Sequence, residues 1–354
     1  MSQESANDSA ISQTRKIIEE YHGKPLRIME VCGTHTHEIF RLGLRQILPE
    51  NITLISGPGC PVCVTPTSFI DEALWLGLKA KAIICTFGDL LRVPGSDTSL
   101  LEARSQGLDV RLVYSPLDAL KIAQEEPKRE VVFLSVGFET TVPAECLAAT
   151  SAKEQGIENF SLLVANKTMP KAYQALKGSA DAFLYPGHVC AITGTKDCAD
   201  LVDQGVSGVV AGFTAAELLT ALAAIVIKSA ANKPFFLNCY PRVVSEDGNL
   251  SARKLINDTM EACDCEWRGL GNIVGSGLKL KSQWQDFDAK LRFNIPKLES
   301  RVHPGCRCGA VLQGKCLPND CKLFGQACRP EHPIGACMVS SEGTCAAYYQ
   351  YSNW

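Results

Sequence analysis

The chain has 354 residues, 46% of them hydrophobic and 21% charged, with a formal net charge of −3. That is globular composition, which excludes a disordered or fibrous chain, and it offers no excess of positive charge for nucleic acid. No apolar run approaches the roughly 18 residues of a membrane-spanning helix; Leu218–Ile227 is too short and runs into Lys228.

Residues 1–14 (MSQESANDSAISQT) lack the cationic and apolar regions of a secretory leader, so the expected location is cytoplasmic. The 17 cysteines are the anomaly. A reducing cytoplasm does not favour structural disulfides. Apolar, β-branched runs predict nine strands at Arg27–Cys32, Ile52–Gly57, Ala82–Phe87, Val110–Ser115, Val131–Phe138, Phe160–Asn166, Ala182–Gly187, Gly208–Phe213 and Phe235–Tyr240. Helical patterns lie between them, among them His37–Leu48, Ser68–Ala80 and Ala215–Ser229. Strands alternating with helices imply an α/β fold with parallel sheets. Continuous apolar strands such as VVFLSVGF fit sheets covered on both faces. The expected architecture is two similar doubly wound parallel-sheet domains, 26–125 and 126–242, divided at the charged break Glu125–Glu130, plus a smaller Cys-rich domain of residues 1–25 and 243–354. After about Asn249 strand signals fade. The stretch Cys306–Cys345 is so rich in turns that something other than a core should staple it.

Cys85, Cys146, Cys198 and Cys239 sit in apolar or helical patterns and read as packing residues. Three other groups carry chemistry. In Cys32-Gly33-Thr34-His35-Thr36-His37-Glu38 the cysteine ends a strand and a helix follows, with Thr34 or Thr36 as N-cap. Ligand sites form at that carboxyl edge of a parallel sheet. A helix N-terminus favours thiolate, a soft ligand for iron, and His35 can add a donor or a proton. The bland reading is a buried cysteine beside two solvated histidines. In Gly57-Pro58-Gly59-Cys60-Pro61-Val62-Cys63-Val64-Thr65-Pro66, with Thr65 and Pro66 as N-cap and first helical residue, the Cys60-x-x-Cys63 spacing suits thiol–disulfide exchange. Half of a zinc site, or simple packing, is the bland reading there. The tail holds Cys306, Cys308, Cys316, Cys321, Cys328, Cys337 and Cys345. Its evenly separated set Cys308, Cys321, Cys328 and Cys345 suits a [4Fe–4S] cluster held by loops, against structural zinc, which prefers paired knuckles. Glu139 in VGFETT and His188 in Pro186-Gly187-His188 follow strands and either line the same cleft or are strand-end turns. Trp267-Arg268-Gly269-Leu270-Gly271 is no dinucleotide fingerprint, lacking both the preceding strand and the spacing.

CGTHTHE, SGPGCPVCVTP, VGFETT, PGH, EWRGLGNIVGSGL and the tail motif from CGAVLQGKC to CAAYYQY together resemble the HypD family of [NiFe]-hydrogenase maturation factors, in order, from about Arg27 to the C-terminus. The resemblance implies two similar α/β domains and a third that carries a [4Fe–4S] cluster, in surroundings like those of ferredoxin:thioredoxin reductase. It implies assembly of the Fe(CN)2CO unit, with a HypC-type chaperone as iron-carrying partner, a HypE-type protein as cyanide donor, and Fe(II) bearing CN and CO as the transient cargo. On that analogy Cys32 binds iron together with a cysteine of the HypC-type partner, Cys60 and Cys63 are the redox thiols, and Cys308, Cys321, Cys328 and Cys345 hold the cluster. Cys306, Cys316 and Cys337 are left unassigned. Two rivals remain: a thiol oxidoreductase without an assembly role, and a barrel metallohydrolase built on His35, His37 and His188.

Overall fold

The apolar runs form strands where they are expected. The computed structural model describes residues 3–352. Its strands are β1 (Leu26–Glu30), β2 (Ile52–Ser56), β3 (Ile83–Thr86), β4 (Val110–Leu112), β5 (Val131–Ser135), β6 (Phe160–Val164), β7 (Ala182–Pro186), β8 (Gly208–Ala211) and β9 (Phe236–Asn238). Each stops short of its expected carboxyl end, because the residues there leave the sheet to form the loops that carry the motifs.

Two open parallel sheets result, ordered β2-β1-β7-β8-β9 and β4-β3-β5-β6. Both are doubly wound in the same sense: the first strand of each lies between the second and the third, so each has one switch point, β1/β7 or β3/β5. A single closed barrel, and with it the barrel hydrolase, is ruled out. Every residue of β5 is buried, and each large apolar side chain so buried is worth roughly 1.5–3 kcal/mol.

The sheets do not divide at residue 125/126. β1 and β2 pair across the molecule with β7, in the register Ile28↔Ala182 and Met29↔Phe183, whereas β3 to β6 form the other sheet. The chain leaves its first sheet after β2, builds the second, and returns. Glu125–Glu130 is a surface turn within the second sheet's domain. Its charges are taken up by ion pairs: Arg111 with Glu126 at 3.0 Å, Arg129 with Asp109 at 2.7 Å and Arg292 with Glu130 at 2.8 Å. Nor does the N-terminus join the Cys-rich region. Helix α1 (Gln3–Glu19) lies on the helix Ala215–Ser229, and Ile18 is fully buried in one core with Leu218 and Leu222.

The region after Asn249 is more ordered than its composition suggests. Strands β10 (Met260–Trp267) and β11 (Gly271–Leu280) form an antiparallel hairpin. One of its faces is largely exposed, so it lacks a long apolar run. The hairpin extends the loop after β6 through Thr168 N–H to the Ser276 carbonyl at 2.8 Å and Leu278 N–H to the Asn166 carbonyl at 3.1 Å. The tail is not an independent unit. Leu312, Ala336, Met338 and Val339 share one core with Met29, Ile55 and Leu134 of the two sheets.

Candidate functional site

Cys32 follows β1 at the switch point with β7. Helix α2 (Gly33–Arg41) starts directly after it, earlier than the expected His37, and Cys32 itself occupies the N-cap. Neither threonine caps: Thr36 Oγ1 donates back to the Cys32 carbonyl at 3.2 Å, and Thr34 Oγ1 donates to Glu342 of the tail at 2.6 Å. α2 stops at Arg41, and Gly43 (φ +66°) starts a separate 3₁₀ turn.

The Cys-x-x-Cys segment folds as a one-turn helix α3 (Pro61–Val64), with Pro61 at its first position and the Cys60 sulfur accepting from Cys63 N–H at 3.3 Å. Thr65 is not an N-cap; its hydroxyl donates to the Pro61 carbonyl at 2.8 Å, and the next helix, α4 (Thr67–Leu78), has Pro66 in the capping position. The two motifs are laced together. Gly33 N–H donates to the Gly59 carbonyl at 3.0 Å, and a Cβ on Gly59 would overlap the main chain of Cys32. The far end of the turn is held by Arg268, whose main-chain N–H donates to the Val64 carbonyl at 2.8 Å and whose Nε donates to the Thr65 carbonyl at 2.8 Å.

The cysteine thiols are not exposed nucleophiles. Cys32 is 2% exposed, Cys60 3% and Cys63 0%. Burial pushes the Cys32 thiol up to about 12, with hydrogen bonds from His35 N–H and from Thr34 opposing and the Glu342 charge adding to the rise. The low-pKa thiol expected at a helix N-terminus is therefore not found: loss of hydration outweighs the few backbone donors. Burial likewise raises Cys63, reinforced by Cys337 and Cys60. A soft metal ion would have to displace the Cys32 proton on binding.

His35 is fully buried. Its Nε2 lies 3.0 Å from the Gly212 carbonyl, and its ring packs on Phe213. That carbonyl needs a proton on Nε2, and burial lowers the pKa to about 4, with the carbonyl opposing. His35 is thus a neutral imidazole near pH 7, its Nδ1 without a hydrogen-bond partner among the described residues. His188 also stacks on Phe213, with ring centres 5.1 Å apart, and is likewise lowered to about 4 by burial. His37 instead faces Tyr351 at 3.2 Å. The three histidines do not converge, and among the described residues no three His, Cys, Asp or Glu side chains are placed to hold a single metal ion.

Glu139 turns towards Tyr173: its carboxylate accepts from Met169 N–H at 2.8 Å and, deeply buried, is raised to about 7. Glu145, which sequence reasoning passed over, is buried beside Ser135 and Asn166 and also raised to about 7. A carboxylate in the first turn of a helix whose first eight residues (VPAECLAA) are otherwise apolar was the available signal.

The seven tail cysteines separate into three roles. Cys306, Cys308, Cys321, Cys328 and Cys345 surround an apolar cavity of about 20 Å³, closed by Val311, Leu323, Phe324 and Met338. A Cβ on Gly335 would press within 2.5 Å of the Cys308 sulfur and 2.7 Å of the Cys306 sulfur, so glycine makes the room. Ile334 N–H donates to the Cys328 sulfur at 3.3 Å. Apolar walls, loop-borne thiols and an N–H on sulfur suit an iron–sulfur cluster, and the expected set Cys308, Cys321, Cys328 and Cys345 lies wholly on this cavity, together with Cys306. Cys337 is the second role. It is completely buried, in hydrogen-bonding contact with Cys63 on one side and with Cys308 and Cys345 on the other, and those three thiols hold its sulfur below the ordinary thiol range. Cys316 stands apart in a surface groove with Arg27 and Asp320.

The result is a protein of two interleaved α/β sheets whose carboxyl edges meet a row of buried thiols: Cys60, Cys63, Cys337, then the cavity. A family model described as "Hydrogenase formation hypA family", HypD, matches residues 8–352. "Hydrogenase maturation factor HypD" of Escherichia coli is 47% identical over 93% of this chain and 90% of its own length. The proteins of that name from Rhodobacter capsulatus (44%, 93% and 90%) and Cupriavidus necator (42%, 94% and 91%) are similar to the same extent. The chain belongs to the HypD family of hydrogenase maturation factors.

Proposed function

We propose that this chain assembles the Fe(CN)2CO unit of [NiFe]-hydrogenases in the cytoplasm, with a HypC-type chaperone as co-ligand of the iron and a HypE-type protein as cyanide donor. The continuous thiol row from Cys60 to the tail cavity carries the reading. In it Cys32 supplies a sulfur ligand to the incoming iron, beside a cysteine of the HypC-type partner. Thr34 and the His35 main-chain N–H keep that sulfur oriented.

A cyanide donor that carries its cargo as a thiocyanate must be cleaved reductively. With R the donor, R–SCN and the two thiols of Cys60 and Cys63 give R–SH, HCN and the Cys60–Cys63 disulfide; two electrons pass from the pair to the S–CN bond. A [4Fe–4S] cluster at Cys321, Cys328, Cys345 and one of the neighbours Cys306 and Cys308 would supply one-electron reducing equivalents. Cys337, between Cys63 and the cavity, is the link through which the pair is returned to its thiol form.

The test is anaerobic co-purification with the two partners, followed by infrared spectroscopy for iron-bound cyanide and carbonyl. Cys32→Ala should abolish those bands while tail iron and sulfide stay constant. Bands of full intensity would place the iron elsewhere.

A further inference from the structure

We infer that Cys263 and Cys265 form a second redox dithiol, apart from the Cys60–Cys63 row, that exchanges with small-molecule disulfides and uses Cys265, paired with the buried Lys167, as its attacking sulfur. The two cysteines are two residues apart on β10 and so point to one face of the strand. Both are half-buried. The ladder shifts between them: Cys263 lies opposite Gly277 and Cys265 opposite Ile273. The Asp264 carboxylate holds the irregularity by accepting from Gly275 N–H at 3.0 Å. Both sulfurs lean over the bare backbone of Gly277. A Cβ there would be 3.2 Å from each of them, so they are at most twice that distance apart.

Lys167, in the loop after β6, is 1% exposed. Burying an ammonium without a counter-charge is costly. Among the described residues Lys167 makes no ion pair with a carboxylate; its Nζ donates to the Cys265 sulfur at 3.2 Å and to the Ala165 carbonyl at 3.4 Å, and lies 5.8 Å from the Trp267 ring centre. The group that faces this ammonium is the Cys265 sulfur, at 3.2 Å, and the thiolate is the nucleophilic form of a cysteine. Burial lowers the lysine and Cys265 opposes that lowering. The remaining charges around the pair are Lys279, Asp264 and Glu266, two of them acidic.

The Cys265 thiolate attacks one sulfur of a small disulfide such as oxidised glutathione, and one glutathione thiolate leaves. Cys263, its proton lost to water, then attacks the Cys265 sulfur; the Cys263–Cys265 bond forms and the second glutathione leaves. Two electrons pass to the small disulfide; one released glutathione takes the Cys263 proton by way of water, and the other takes a proton from Lys167 Nζ by way of water once Cys265 is in the disulfide. Residues two apart on a strand have Cα atoms about 6.6 Å apart, near the upper limit for a disulfide, so the bond is strained and readily reduced. The pair is a reversible couple and no structural staple. Its strand ends at Trp267, and the next residue, Arg268, holds the far end of the Cys60–Cys63 turn.

The test uses the full chain, purified anaerobically and equilibrated in glutathione buffers from reducing to oxidising, then acid-quenched and alkylated. The tryptic peptide Leu255–Arg268 contains no other cysteine. It should pass from doubly alkylated to unalkylated with loss of two hydrogens, without a stable singly modified form. Cys263→Ser should stop at a glutathione adduct on Cys265. Lys167→Met removes the ammonium 3.2 Å from the Cys265 sulfur and should slow its alkylation at neutral pH several-fold. Cysteines that stay independently alkylated in every buffer, or a Cys263→Ser chain that captures no glutathione, would overturn the proposal. An unchanged Cys265 rate in Lys167→Met would remove the lysine from it.

Discussion

Replacing Cys337 by alanine separates wiring from folding. Its sulfur is completely buried between Cys63 and the pair Cys308 and Cys345. Loss of one sulfur from a packed site resembles loss of one methyl group and costs about 1 kcal/mol, cavity included. With a urea slope of at least about 2 kcal/mol per molar for a chain of this size, the midpoint should fall by no more than about 0.5 M. The thiol row, in contrast, is interrupted at its centre. Cys60 and Cys63 should still release one cyanide per chain, since their own two electrons suffice, but the disulfide should not be reduced again. The assay is single-turnover cyanide release followed by thiol trapping and mass spectrometry of the peptide with Cys60 and Cys63, with and without a low-potential reductant. Recovery of the dithiol at the wild-type rate in Cys337→Ala would show that electrons reach Cys63 by another route.

The other predictions concern the supports of the site. Gly59→Ala drives a Cβ into the Cys32 main chain, which cannot yield as a side-chain end could; a loss of about 3 kcal/mol or more in chemical denaturation is expected, and a neutral effect would mean the two motifs are not in contact. Ser substitution at Cys321, Cys328 or Cys345 should lower iron, acid-labile sulfide and soluble yield together, and comparing Cys306→Ser with Cys308→Ser identifies the fourth thiol of the cavity. Glu139 is raised from 4.5 to about 7 by burial, so the folded chain binds its proton more tightly than the unfolded one. The stability this lends is complete below pH 4.5 and is lost as the pH rises to 7, up to about 3 kcal/mol. Glu139→Gln keeps an acceptor for Met169 N–H and should flatten that fall, as read from urea midpoints at pH 5 and pH 8.

The central strands could be read from the sequence because a strand buried on both faces needs an unbroken apolar run, and that requirement is local; the edge strands β4 and β9, only partly buried, are the shortest of the nine. For the same reason the CGTH and CPVC motifs could be placed at strand ends. The hairpin of β10 and β11 was not legible, since a strand with one face in water shows only alternation, here blurred by three glycines and a register shift between Cys263 and Cys265. Pairing across the chain was hidden as well. Nothing near Leu26 records that β1 will lie beside β7 rather than β3, because that choice belongs to the packing of helices on both sheets. Composition located the thiols, yet which of the seven tail cysteines faces the cavity follows from how the tail loops fold on one another, and which bridges to Cys63 or stays outside follows from how segments hundreds of residues apart meet. The Cys32 pKa belongs to the same class. The sequence shows the helix N-terminus that would lower it, but only the tertiary structure supplies the burial that raises it, and desolvation of a charge exceeds the pull of a few backbone dipoles.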